Sequence, residues 1–189
     1  MDPRADTLDI EPVNVQVSTG PDSDAFVAAS WTALNGELFG FLLHSTRDPG
    51  AAEDLLQDAF VRLTTEVRAG RTPDNVRAWM FRVASNLAIS RGRRASTALR
   101  WLARYGAAEG RSTASSPESG ALEHERNSAM ERALGRLPAD ARVALLMSGS
   151  GFSGRDIAQA IGRSDIATRT LMSRARATVR RHMVEDEAR

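Results

Sequence analysis

The chain has 189 residues, 42% hydrophobic and 26% charged, which are the proportions of a globular protein. It has no cysteine, and its three histidines (His44, His124, His182) share no ligand spacing, so no disulfide framework, metal or other cofactor is expected. The net charge of +1 hides an asymmetry: residues 1–60 carry 11 acids and two bases, residues 61–189 carry 23 bases and 13 acids. Two electrostatically different surfaces imply two kinds of partner. Every base is arginine, whose planar guanidinium suits bidentate recognition of phosphates and base edges.

Residues 1–22 mix Asp, Pro, Val, Ser and Gly without helical period and read as a disordered tail. The tail lacks the apolar core of a secretory signal, and no run approaches the length of a membrane span, so a cytoplasmic protein without a membrane segment is expected. From Asp24 the pattern is helical: Phe26, Ala29, Ala33, Leu34, Leu38, Phe41 and Leu42 recur at spacings of three and four. In RDPGAAEDLLQDAFVRLTTEV, Asp48 is placed to cap and Pro49 to fill the first turn. Ala52, Leu55, Leu56, Ala59, Phe60, Leu63 and Val67 form one apolar stripe, and Glu53, Asp54, Gln57 and Asp58 occupy the other face. Ala69–Asn75 (AGRTPDN) reads as a loop.

A helix is predicted from about Asn75 to Arg91, ending near Gly92. Val76, Met80, Val83, Ala84 and Leu87 read as core, with Trp79 at the boundary. Trp79, Arg82 and Asn86 stand at i, i+3 and i+7, on one face. Between Arg77 and Arg104 there are seven bases and no acid. A merely solvated face would mix signs. Tyr105–Ala121 is rich in Gly, Ser and Ala and reads as a flexible linker.

Helical period returns at Leu122, and Pro138 opens a further helix with Ala141, Val143, Ala144, Leu145 and Leu146. Ser153 with Asp156 three residues later is a capping-box start, Ile157, Ala158 and Ile161 point inward, and Gly162 makes a turn. A last helix from about Asp165 to His182 carries Arg169, Arg174, Arg176, Arg180 and Arg181. Helix, short glycine turn and basic helix fit a DNA-binding helix-turn-helix, and equally a helical hairpin in a scaffold. The basic second helix and the following RARATVRR favour DNA.

Three segments in order, AEDLLQDAFVRL, VRAWMFRVASNLAISRGRR and LGRLPADARVALLMSGSGFSGRDIAQAIG with RTLMSRARATVRR, resemble the extracytoplasmic-function sigma factors of bacterial RNA polymerase. The resemblance implies an all-α protein of two small helical domains joined by a flexible linker. These are a tail (1–22), sigma region 2 (23–103), a linker (104–122) and sigma region 4 (123–189). It implies a transcription initiation factor, not an enzyme, that takes core polymerase to promoters and is regulated by an anti-sigma factor. Glu53, Asp54, Gln57 and Asp58 would dock on the β′ clamp helices, and region 4 would meet the β flap.

Arg77, Trp79, Arg82, Asn86, Arg91, Arg93 and Arg94 would hold the opened −10 strand, with Asn86 in the pocket for a flipped base and the Ala69–Asn75 loop closing over it. Arg169, Thr170, Ser173 and Arg174 would enter the major groove at the −35 element. Arg155, Arg176, Arg180 and Arg181 suit phosphates, while Met172, Ala175 and Val179 would pack inward. The chain departs from its relatives at Gly70, where an aromatic is common. It departs again at Ile166, Ala167 and Thr168, where Gly, Thr and Val are usual, and at Leu171, where a basic residue is frequent.

Three rival readings make distinct demands. A two-domain repressor using only the helix-turn-helix would leave the acidic helix and the Asn86 face unexplained. An enzyme would need a nucleophile set, a phosphate loop or paired carboxylates, and the sequence shows none. A degenerate sigma-like protein would bind polymerase without initiating.

Overall fold

The computed structural model describes residues 21–105 and 121–187, and among them every regular element is a helix. Residues 1–20 of the expected tail (1–22) and 106–120 of the expected linker (104–122) lie outside the described residues, and the remaining residues of both are helical. The first half contains α1 (Pro21–Thr46), α2 (Pro49–Arg68) and α3 (Val76–Tyr105). The second contains α4 (Ala121–Gly135), α5 (Ala139–Gly149), α6 (Gly154–Ile161) and α7 (Asp165–Glu187). The helices at Pro21 and Glu187 reach beyond the predicted limits of Asp24 and His182.

Local chemistry sets the boundaries. Asp48 caps α2, its Oδ1 accepting from Ala51 N at 3.1 Å, with Pro49 at the first helical position. Asn75 accepts from Ala78 N at 2.9 Å and opens α3. Ser153 and Asp156 form the reciprocal capping box, and Gly162 ends α6 in the left-handed region at φ 66°. Arg47, at φ 60°, turns the chain between α1 and α2.

α1 is apolar enough over Asp22–Thr46, at mean hydropathy 1.3, to pass a length-and-composition test for a membrane span, contrary to the expectation that no run would. The charged residues are sparse there, but the helix is amphipathic by contact. Leu34, Leu38, Phe41 and Leu42 are all buried in the core shared with α2 and α3.

The two halves are not separate bodies. One core runs from α1, α2 and α3 into Val143, Ala144 and Met147 of α5 and Ile157, Ala160 and Ile161 of α6. A smaller cluster of Leu134, Leu137, Ala141 and Ala175 ties α4, α5 and α7. Gly92 explains how the halves come so close. It does not end α3, as the sequence suggested, but lies inside it. A Cβ there would stand 2.6 Å from Ala139 Cβ at the start of α5, so only glycine admits this approach.

Candidate DNA and polymerase interfaces

α3 is a helix with two working faces. Trp79, Arg82, Asn86 and Arg93 share one side by helical period, with Arg94 at its margin, and Asn86, Arg93 and Arg94 are exposed. Among the described residues none of Arg82, Arg93 and Arg94 has an acid partner. Arg77 stands about 2.5 turns before Asn86, hence on the opposite side.

That rear side meets the second half of the molecule. Arg77 pairs with Glu37 of α1 and donates to Ser150 O at 3.0 Å. Its guanidinium lies 5.1 Å from the Phe81 ring centre and 4.6 Å from that of Phe152. The hydrogen bond it donates to the Glu37 carboxylate raises its pKa further, so it is cationic at every working pH. Below it, Ser85 Oγ donates to Met147 Sδ at 3.3 Å, and the rings of Phe81 and Phe152 stand 4.7 Å apart. Arg91, also off the Asn86 side, lies beside Asp48 at 3.4 Å.

A second tie uses Arg142 of α5. It donates to Ser45 O at the end of α1 at 2.7 Å and to Leu134, Gly135 and Leu137 carbonyls at the end of α4. These are the carbonyls that helix ends leave without intrahelical partners, and a cation suits them. Burial, followed by repulsion from Arg47, pulls the Arg142 guanidinium below its usual pKa.

On α2, Glu53, Asp54, Gln57 and Asp58 are all exposed, while Ala52, Leu55, Leu56 and Ala59 between them are buried. No described ion pair uses Glu53, Asp54 or Asp58, although other acids of this half are engaged: Asp24 with Arg68, Glu66 with Arg71, Glu37 with Arg77 and Asp48 with Arg91. Val61, 64% exposed, continues the same face at i+3 and i+4 from Asp58 and Gln57.

On α7, Arg169, Thr170, Ser173, Arg174, Arg176 and Arg180 are exposed, and Met172 and Ala175 are buried at 7% and 3%. Arg176 donates to Ser148 Oγ at 3.2 Å, and Arg155 is exposed on α6. Ser164 fixes the start of α7: its Oγ accepts from Ala167 N at 3.3 Å and its carbonyl from Thr168 N at 2.9 Å. Two helices, a three-residue turn and a basic outer face make the helix-turn-helix geometry.

Comparison with known proteins agrees with this geometry region by region. Residues 31–98 match the model of sigma-70 region 2, and residues 128–179 match that of sigma-70 region 4. The chain belongs to the extracytoplasmic-function group of the sigma-70 family. It is 31% identical over 157 residues to the probable RNA polymerase sigma factor RfaY of Xanthomonas campestris, covering 82% of this chain but 39% of that protein. It is 23% identical over 151 residues to the ECF RNA polymerase sigma factor SigX of Bacillus subtilis, covering 78% of each. The solved structure of the sigma factor RpoE with the anti-sigma factor NepR from Bartonella quintana matches with a TM-score of 0.65 and 25% identity. That match covers 82% of this chain and 95% of RpoE.

The structure also shows features that the sequence did not announce. Phe152 and Ser150 sit in the turn before α6 and clasp region 2; a phenylalanine between glycine and serine gave only a faint signal. Gly70, at φ 73°, turns the chain after α2, so an aromatic at that place would be strained. Thr168 is 1% exposed, and among the described residues its hydroxyl has no hydrogen-bond partner. Thr168→Val keeps the shape and removes that cost. It is expected to raise the unfolding free energy by about 1 kcal/mol in denaturant titration; a lower value would show that the hydroxyl is satisfied.

Proposed function

We propose that this sigma factor initiates transcription by binding core RNA polymerase through the acidic face of α2 and through region 4. It would hold the opened −10 strand on the Asn86 side of α3 and read the −35 duplex with α7. The observation that carries the reading is the arrangement of charge. Among the described residues, acids without ion-pair partners lie on α2 and arginines without acid partners lie on α3 and α7, so one surface fits a basic protein groove and two fit phosphates. The factor itself would carry out no covalent chemistry: binding energy traps unpaired bases. A protein of this kind works in the bacterial cytoplasm.

The −35 and −10 elements are separated by spacer DNA, and two domains that share one core cannot span it. The closed arrangement is therefore a resting form, and regions 2 and 4 part at the Arg77–Phe152 clasp when polymerase is bound. Region 4 covers the rear of α3 and leaves the Asn86 side open, so closure blocks initiation by geometry and not by masking the −10 face. Since the related RpoE was solved with an anti-sigma factor, such a regulator is expected here too. We read the apolar groove of about 630 Å³ between the halves as its seat. Phe41, Leu145 and Leu146 line that groove, with Arg176 and Arg180 beside them.

Asn86→Ala tests the −10 assignment. Asn86 is exposed, so the fold should survive, and core binding should be unchanged. Open-complex formation, followed by permanganate reactivity of unpaired thymines, should fall about 5- to 150-fold, for a lost base-edge contact of about 1–3 kcal/mol. Equal loss of core binding and opening would remove Asn86 from the pocket.

A further inference from the structure

The first turn of α7 holds an isoleucine where water would be expected to favour a polar side chain. Ile166 is 76% exposed, and it is the most exposed large apolar residue among those described. It is not loosely placed. Ser164 caps the helix on Ala167 N, the Ser164 carbonyl accepts from Thr168 N, and Thr170 Oγ1 donates to Ile166 O at 3.0 Å. By helical spacing Ile166 shares a face with Arg169, Thr170 and Ser173, all exposed, and it forms the leading end of that face. A β-branched side chain in a helix has essentially one χ1 rotamer, so the ethyl and methyl groups are presented in a fixed direction.

The leading residues of a recognition helix are the ones that reach base edges. In the major groove the apolar group a base pair presents is the C5 methyl of thymine. We propose that Ile166 is a specificity-determining residue of the −35 interface, contacting a thymine methyl while Arg169 and its neighbours make polar contacts beside it. The proposal rests on the reading of α7 as the −35 helix.

The test uses polymerase holoenzyme assembled with the full chain, on its own promoter. Each thymine of the −35 duplex is replaced in turn by deoxyuridine, which deletes only the methyl. One replacement is expected to weaken binding three- to fivefold, about the value of burying one methyl group, and Ile166→Ala should bind both DNAs equally. The variant's thermal unfolding should match the parent's, since the side chain lies outside the core. If no thymine methyl matters, or if Ile166→Ala responds to its removal as the parent does, the proposal fails while −35 recognition stands. Scrambling the whole −35 element in the same assay separates the two cases: unchanged binding there would overturn the −35 reading and this proposal with it.

Discussion

Reversing Asp54 and Asp58 together to arginine should lower affinity for core polymerase by about 100-fold, while the protein stays folded. The magnitude follows from placing two cations where the partner groove must be basic: like charges brought together at an interface cost several kcal/mol, and about 1.4 kcal/mol is a factor of ten. The fold should tolerate the change because both side chains are exposed and neither has an ion pair among the described residues. Both stand beyond the first turn of α2, so no substantial helix-dipole interaction is lost either. Fluorescence anisotropy against core polymerase and denaturant unfolding measure the two effects separately. Unchanged affinity would make this face a solvated helix surface and move the polymerase contact elsewhere.

Phe81→Ala should cost about 3–5 kcal/mol of unfolding free energy, the largest effect expected from a single substitution here. The ring is fully buried, with Phe41 of α1 at 5.0 Å and Phe152 of region 4 at 4.7 Å. It is thus packed on both sides, once by each half. Against the 5–15 kcal/mol typical of whole domains, that loss is severe. The same substitution should split a single unfolding transition into two, because the shared core is what couples the halves. Phe152→Ala is the informative partner: it removes only the region 4 ring, so region 2 should keep more of its stability while the molecule expands in small-angle scattering. A loss below about 1 kcal/mol for Phe81→Ala would mean that the ring is not at the junction. These side chains also set a condition on function. Parting the halves, as proposed, would expose Phe81, Phe152 and Met147 to water, and polymerase and promoter contacts would have to offset that cost.

How much of this was legible in the sequence depends on how local the determining physics is. The α2 stripe, the Asp48 cap and the Ser153–Asp156 box are set by neighbours within four residues, and each stands where the spacing placed it. On α7 it was the family resemblance that implied which side packs inward, and Met172 and Ala175 are buried. Gly92 failed as a helix terminator because its reason is not local: it serves an approach by Ala139, 47 positions away in the chain. Arg77 illustrates the same limit. Composition put it in an arginine-rich segment, and only the packed molecule shows that Glu37, Ser150 and Phe152 engage it behind the helix. Charge density marks a basic segment; it does not say which arginine belongs to which face.

Val61 was missed for a different reason. A single exposed apolar residue is ordinary, and only its continuity with Asp54, Gln57 and Asp58 joins it to the acidic face of α2. The closed arrangement itself was not legible, since the segment between Tyr105 and Ala121 reads as permissive and fixes no geometry.

Promoter-specific initiation is the central claim. Purified chain added to bacterial core polymerase should yield discrete transcripts from fragmented genomic DNA of the source, and mapping of their 5′ ends should reveal a shared pair of upstream elements. Core binding without discrete starts would contradict it and leave a sigma-like protein that no longer initiates. Sequence-specific duplex binding by the chain alone, with no binding to polymerase, would contradict it more deeply and give the helix-turn-helix to an ordinary repressor or activator.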